Sequence, residues 1–140
     1  MKRICIIDGQ GGGIGSTLIK GLREAYGESI EILALGTNAI ATAQMMKARA
    51  NRGASGENAI VRIVQETDLI IGPISITWAH AMMGEITPRM AEAIVSCPAP
   101  KILLPLSREN VTLMGLSGEP LPHLVEEIIK DKIKEFIDDV

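Results

Sequence analysis

Hydrophobic positions along the chain fall into short continuous blocks separated by longer stretches of helical periodicity. The blocks at Arg3 to Asp8, Ile30 to Gly36, Asp68 to Gly72 and Lys101 to Leu106 are apolar almost throughout, the pattern of strands buried on both faces of a sheet. Between them, Ser16 to Tyr26 and Glu57 to Glu66 read as helices, the second with Ile60, Ile63 and Val64 on one side. Pro88 suits the first position of a helix that Thr87 caps and that runs on to Val95. The final stretch, Leu121 to Asp138, sets Leu124, Val125, Ile128, Ile129 and Ile133 in one stripe with Glu127, Lys130, Asp131 and Lys134 largely opposite, as a helix lying on a sheet requires.

Alternating strands and helices predict parallel strands joined by right-handed crossovers, an α/β fold of the Rossmann-like three-layer sandwich type with a mostly parallel sheet. Numbered along the chain, the strands are expected in the order 2-1-3-4. A fifth apolar block, Val111 to Leu116, follows the fourth after only Ser107 to Asn110, too short for a parallel crossover, so it is predicted as an antiparallel edge strand. The helix Glu57 to Glu66 feeds the third strand directly. Asn38 to Ala50 is therefore expected to run over the rim instead of descending as a second crossover.

With 140 residues and 15.0 kDa, residues 1–140 are expected to form one domain around one core. Tyr26, Trp78 and Phe136 are the only aromatics in a chain that is 46% hydrophobic. The core is therefore aliphatic and methionine-rich, and surplus apolar surface predicts a homo-oligomer, most simply a dimer. A net charge of −3 argues against nucleic acid or an anionic membrane as the main partner. No apolar run is long enough for a signal peptide or a membrane span, so a cytoplasmic location is expected. Cys5 and Cys97 lack metal-ligand spacing and fit reduced thiols.

Chemistry concentrates where the first strand ends. In "IDGQGGGIG", Ile7 to Gly15, five of the seven residues after Asp8 are glycine. Gly9, Gly13 and Gly15 match the spacing of short-chain dehydrogenases; Gly11, Gly13 and Gly15 match that of adenosylmethionine-dependent methyltransferases. "GGGIGS" resembles the phosphate loop of tubulin-like GTPases, with Ile14 in place of their threonine. A stretch that satisfies three patterns selects none of them, but all share backbone amides turned toward an anion at a helix N-terminus. Gly9, Gln10, Gly11, Gly12, Gly13, Ile14, Gly15 and Ser16 are accordingly candidate binding residues for a nucleotide or other phosphorylated small molecule. A Walker loop is excluded for want of G-x-x-x-x-G-K-[ST]. The competing reading is a tight turn that lets the first helix pack closely. Asp8 either holds the glycine loop through its amides or binds a divalent cation.

At the end of the second strand the sequence is Gly36, Thr37, Asn38, without the acid that dinucleotide sites use for ribose hydroxyls. Asn38 can reach a ribose or phosphate, and Thr37 can bind or cap. The segment "KARANRGASGEN" concentrates cations in an acidic chain. Arg52, Gly53, Ser55, Gly56 and Asn58 are expected to face the first loop as a second anion cradle, the alternative being a solvated helix-to-helix turn. In "GPISITWAHAMMGEITP", Trp78 can stack on a ring, His80 can act as acid or base and Glu85 can partner it; equally, the segment can pack in the core or at a subunit contact. Candidate proton-transfer residues are thus His80, Glu85 and Asp8.

Together, "IDGQGGGIG", "LGTNAIATAQMMKA", "GASGENAI" and "KILLPLSRENVTLMGL" resemble a family of short bacterial proteins, mostly from anaerobic Firmicutes, known as a domain of unknown function. The resemblance spans nearly the whole chain. It implies a stand-alone, cytoplasmic, Rossmann-like protein and supplies no catalytic residues. The leading expectation is a binding protein for a nucleotide or other phosphorylated metabolite. A small enzyme using His80, Glu85 or Asp8 and a partner-binding subunit with a vestigial crevice are the alternatives.

Overall fold

The structure, a computed structural model, describes residues 1–138. Five strands form one parallel sheet: β1 (Arg3–Asp8), β2 (Glu31–Gly36), β3 (Arg52–Ser55), β4 (Leu69–Pro73) and β5 (Lys101–Leu104), in the order β3-β2-β1-β4-β5. The helices are α1 (Gly13–Tyr26), α2 (Ala39–Lys47), α3 (Glu57–Ile63), α4 (Pro88–Ser96) and α5 (Leu121–Glu127), the last continuing through a π-helical stretch (Ile128–Ile133) into α6 (Lys134–Asp138). This is the expected Rossmann-like α/β arrangement, and the four strands read from the sequence stand in the expected order.

Alternate residues of each central strand face opposite layers, which is why the strands read as unbroken apolar runs. Ile4 and Ile6 of β1 join Leu18, Ile19 and Leu22 of α1, Met45 of α2 and Val125 of α5 in one buried cluster. Cys5 and Ile7 join Ile60 of α3 and Met90 and Ile94 of α4 in the other. Thr87 caps α4 as expected, its hydroxyl accepting the Met90 amide at 3.1 Å.

Two expectations are corrected. Arg52 to Ser55, read as part of a ligand loop, is an edge strand paired with Leu33 to Gly36 of β2. The segment R-G-A-S has no β-branched or large apolar residue, because an edge strand over one layer is defined by backbone pairing more than by side-chain burial. Its presence makes α2 a full crossover helix that packs over β3, where a Cβ on Gly53 would lie 2.8 Å from Thr42 Cγ2. Val111 to Leu116 forms no strand: the stretch is exposed and irregular, with Val111 turned back onto the Glu109 carbonyl at 2.7 Å. Pro105 closes β5 after Leu104, and left-handed Gly115 and Gly118 (φ 82° and 70°) interrupt the extended run.

The parallel order reverses between β1 and β4, since the chain builds leftward from β1 to β3 and then crosses to β4. A crevice opens at such a reversal, outside the carboxyl ends of the two strands.

Candidate functional site

Three glycines in the turn after β1 are required by packing. A Cβ on Gly9 would lie 2.5 Å from Met82 Sδ; on Gly12, 2.8 Å from the Ala41 carbonyl oxygen; on Gly15, 2.4 Å from Met45 Sδ. Gly12 also sits at φ 73°, in the left-handed region, as the residue that opens α1. The spacing that matters for packing is thus Gly9, Gly12, Gly15, neither of the two matched in the sequence. Gly11 and Gly13, by contrast, face open space. The close-packing reading accounts for Gly9, Gly12 and Gly15 and leaves Gly11 and Gly13 without a packing reason.

Asp8 braces the turn from beneath. Its carboxylate accepts the Gly9 amide on one oxygen and the Gly15 amide on the other, both at 2.8 Å. Burial pushes the Asp8 carboxyl above its ordinary value, with the Gly15, Gly9 and Ile14 amides pulling the other way.

From the opposite layer, Glu85 clamps the same turn. One carboxylate oxygen accepts the Thr37 hydroxyl at 2.5 Å, the Gln10 amide at 2.8 Å and the Asn38 side-chain amide at 2.9 Å. Asn38 also donates to the Gln10 carbonyl at 3.0 Å and caps α2 by accepting the Ala41 amide at 2.8 Å. Gln10 is thereby held at φ 50°, a conformation unfavourable for a residue with a side chain. Burial works to raise the Glu85 carboxyl, but the hydrogen bonds from Thr37, Gln10 and Asn38 outweigh it and hold the group below its ordinary value. The loop that carries Glu85 is itself strained, with His80, Met82 and Met83 at φ 72°, 57° and 58°, and is pinned by the Met82 amide donating to Glu109 at 2.9 Å.

What remains open is a cleft of about 610 Å³ at the strand-order reversal. Its lining comes from the turn Asp8 to Ile14, from Pro73 and Ser75 at the end of β4, from Met82 and Met83, and from Leu106 to Glu109 after β5. Among the described residues the Gly11 and Gly13 amides make no hydrogen bond. The Gly13 amide is a first-turn donor of the kind a helix leaves unpaired, and Gly11 stands just outside the helix, one residue before its N-cap Gly12. Arg108 is exposed and, among the described residues, forms no ion pair.

The remaining candidates read from the sequence are not brought to this cleft. Arg52 pairs with Glu31 at 3.2 Å near the other end of the sheet, beside Arg3 at 2.9 Å on the same oxygen. Gly53 packs under α2, and Ser55 shares a 2.7 Å hydrogen bond with Thr42. The Gly56 amide donates to the Gly36 carbonyl at 2.9 Å. The first turn of α3 carries its own carboxylate, Glu57, which accepts the Thr87 hydroxyl at 2.6 Å, and Asn58 is exposed there. Among the described residues this segment does not face the glycine turn as expected: the unforeseen β3 sends it up the sheet edge. Ser16 turns its hydroxyl back to the Gly12 carbonyl at 2.7 Å. His80 lines a different pocket, with Trp78, Val111 and Leu113. Cys5 and Cys97 are free and buried, and burial pushes the Cys5 thiol up to about 12.

Ser75, Ser107, Arg108 and Glu109 escaped the sequence reading. Arg108 had a usable signal, since it lies two residues beyond the fourth expected strand and so on the same strand-end face as the glycine turn. Ser75 had none beyond its place after β4. Among the described residues, no group of three His, Cys, Asp or Glu is arranged to hold a metal ion, and no helix is long and apolar enough to cross a membrane.

The profile of a domain of unknown function (DUF3842) matches residues 3–137. The chain belongs to that family. No curated protein matches the sequence. Among solved structures, the chain is similar to the crystal structure of a dodecameric FMN-dependent UbiX-like decarboxylase from Escherichia coli O157:H7. The TM-score is 0.50 and the identity 17%, over 97% of this chain and 94% of that one. At that identity the likeness establishes the fold.

The two faces of the turn respond differently to a methyl group. Gly12→Ala should lower stability by about 2–4 kcal/mol, the sum of a left-handed backbone and overpacking, whereas Gly11→Ala should stay within about 0.5 kcal/mol of the parent. Urea denaturation of both variants checks this. Glu85→Gln should be less stable than the parent at neutral pH. Because the folded-state value of Glu85 is lowered, that advantage is complete above the ordinary glutamate value near ~4.3 and is lost as pH falls through the folded-state value. Asp8 has the opposite sign, and the Glu85 charge is one of the causes that raise it, so the difference between the two stability–pH curves reads the loss of Glu85 together with the relief of Asp8.

Proposed function

We propose that the protein binds a nucleotide or other phosphorylated metabolite in the cleft between the ends of β1 and β4. The observation that carries this reading is a pair of free amides, Gly13 in the first turn of a 14-residue helix and Gly11 in the turn just before its N-cap, both residues lining the same cleft as Arg108. Amides at a helix N-terminus present partial positive charge without a desolvated ion, and a guanidinium adds a planar, bidentate donor set. Pro73, Met82, Met83 and Leu106 offer the apolar surface that a ring requires. The FMN dependence of the structural neighbour supports the same ligand class, a phosphate ester bearing a ring system. We favour binding over catalysis because Asp8 and Glu85 hold backbone and His80 lines another pocket. A cytoplasmic setting is part of this reading.

Isothermal titration with AMP, GMP, FMN, NAD⁺ and FAD tests it. At least one should bind, and Arg108→Ala should weaken that binding by about 10- to 100-fold, the loss of a charge-assisted contact, while Arg52→Ala binds as the parent does. Failure of every compound to bind, or Arg108→Ala binding unchanged, overturns the assignment.

We also propose that the chain self-associates through residues 111–116. Met114, Leu116 and Val111 are 88%, 52% and 50% exposed, three apolar side chains within six residues that the described residues leave at least half uncovered. Light scattering should give a mass above the 15.0 kDa monomer, and the double variant Met114→Ser, Leu116→Ser should shift it toward the monomer. A monomeric parent at high concentration ends this proposal.

A further inference from the structure

We propose that the cleft is a half-site, which accepts a ligand with one phosphate and one ring system, a mononucleotide, and rejects dinucleotides, with Ser75 as its inner hydrogen-bonding contact. The inference rests on the phosphate-binding reading above and narrows its ligand class.

In a doubly wound sheet a dinucleotide spans the strand-order reversal, one nucleoside lying against the carboxyl end of β2. In this chain that end is closed. Thr37 and Asn38, which would meet a ribose, donate to Glu85 at 2.5 and 2.9 Å, and the same oxygen holds the Gln10 amide at 2.8 Å. Glu85 reaches across from the loop between β4 and α4 and lies on the β2 side of the glycine turn, where a Cβ on Gly9 would come within 3.0 Å of its carboxylate. Admitting a second nucleoside would break three hydrogen bonds to a carboxylate and release the strained Gln10. The cleft lining has the same asymmetry, drawn from the ends of β1 and β4, the Glu85 loop and the residues after β5. The segment expected as a second phosphate cradle does not supply one, since its Gly56 amide is bonded to the Gly36 carbonyl.

Ser75 identifies the inner end of the open half. It is 3% exposed and lines the cleft, and among the described residues its hydroxyl has no hydrogen-bond partner although it is not sealed from the cleft. A hydroxyl that keeps accessible surface on a cleft and bonds to nothing in its own chain is left to water or to whatever occupies that cleft. In this proposal a phosphate takes Gly11 and Gly13, the ring takes the apolar surface of Pro73 and Leu106, and Ser75 is the hydroxyl in the same lining that a polar ring edge would use.

Isothermal titration of the full chain with FMN, AMP, NAD⁺, FAD and inorganic phosphate tests the proposal. FMN or AMP should bind, with NAD⁺ and FAD at least about tenfold weaker. FMN alone points to a flavin and AMP alone to a nucleoside monophosphate; either supports the half-site. Ser75→Ala should weaken the bound mononucleotide by about tenfold while leaving the unliganded melting temperature and the affinity for inorganic phosphate as in the parent. Ser75→Cys, which keeps the volume, should show the same loss and serves if the alanine variant does not fold. NAD⁺ or FAD binding as tightly as the mononucleotides, in an Arg108-dependent way, overturns the half-site and leaves the phosphate reading standing. Binding of inorganic phosphate alone, or parent-like affinity in the Ser75 variants, also overturns it. Absence of any Arg108-dependent binding defeats the parent reading instead.

Discussion

One carboxylate oxygen decides the shape of the crevice at the strand ends. Glu85 Oε1 gathers the Gln10 amide, the Thr37 hydroxyl and the Asn38 amide, so the loop after β4 is tied to the ends of both β1 and β2. A charged acceptor with three donors is stable enough to hold Gln10 and its own loop in left-handed backbone. The consequence is directional. The crevice at the strand-order reversal is stopped on its β2 side and left open toward β4 and β5, where the free amides, Ser75 and Arg108 lie.

The glycine turn serves two physical demands at once, which explains why its spacing matched several motifs. Gly9, Gly12 and Gly15 let Met82, α2 and Met45 approach, bringing the strand, the first helix and the second helix into contact at the rim of the sheet. Gly11 and Gly13 keep side chains out of the space beyond the helix terminus. Asp8 takes part in the first demand only. Its two oxygens are occupied by loop amides, and its raised proton affinity is the cost of placing an acid under a turn that needs two acceptors.

Candidate residues that sequence reasoning placed in a second cradle illustrate how one unrecognised element moves a site. Counting a four-residue edge strand as loop made α2 appear to overrun the rim and put Arg52 on the ligand face. With β3 in the sheet, the Arg52 guanidinium joins Glu31 and Arg3 near the opposite end. The cation that does line the cleft follows β5, the same distance logic applied one strand further on. Thr37 and Asn38, expected as ligand contacts, and Glu85, expected as a proton-transfer partner of His80, are instead hydrogen-bonded to one another in the fold.

By itself the sequence determined the layers, because strands buried on both faces must be apolar without interruption and crossover helices must show one apolar stripe; it also determined where the first turn lies, although the helix after it begins at Gly13 and not at the expected Ser16. Tertiary structure alone decided which side of each glycine is packed, which polar side chains satisfy one another, and that Ser75 and Arg108 share a cleft with residues about 60 to 100 positions away in the chain. Hydrophobic burial is written into local residue order, since it needs only the right side chain at the right period. Pairing of polar groups depends on distances across the sheet, and those exist only once the chain has folded.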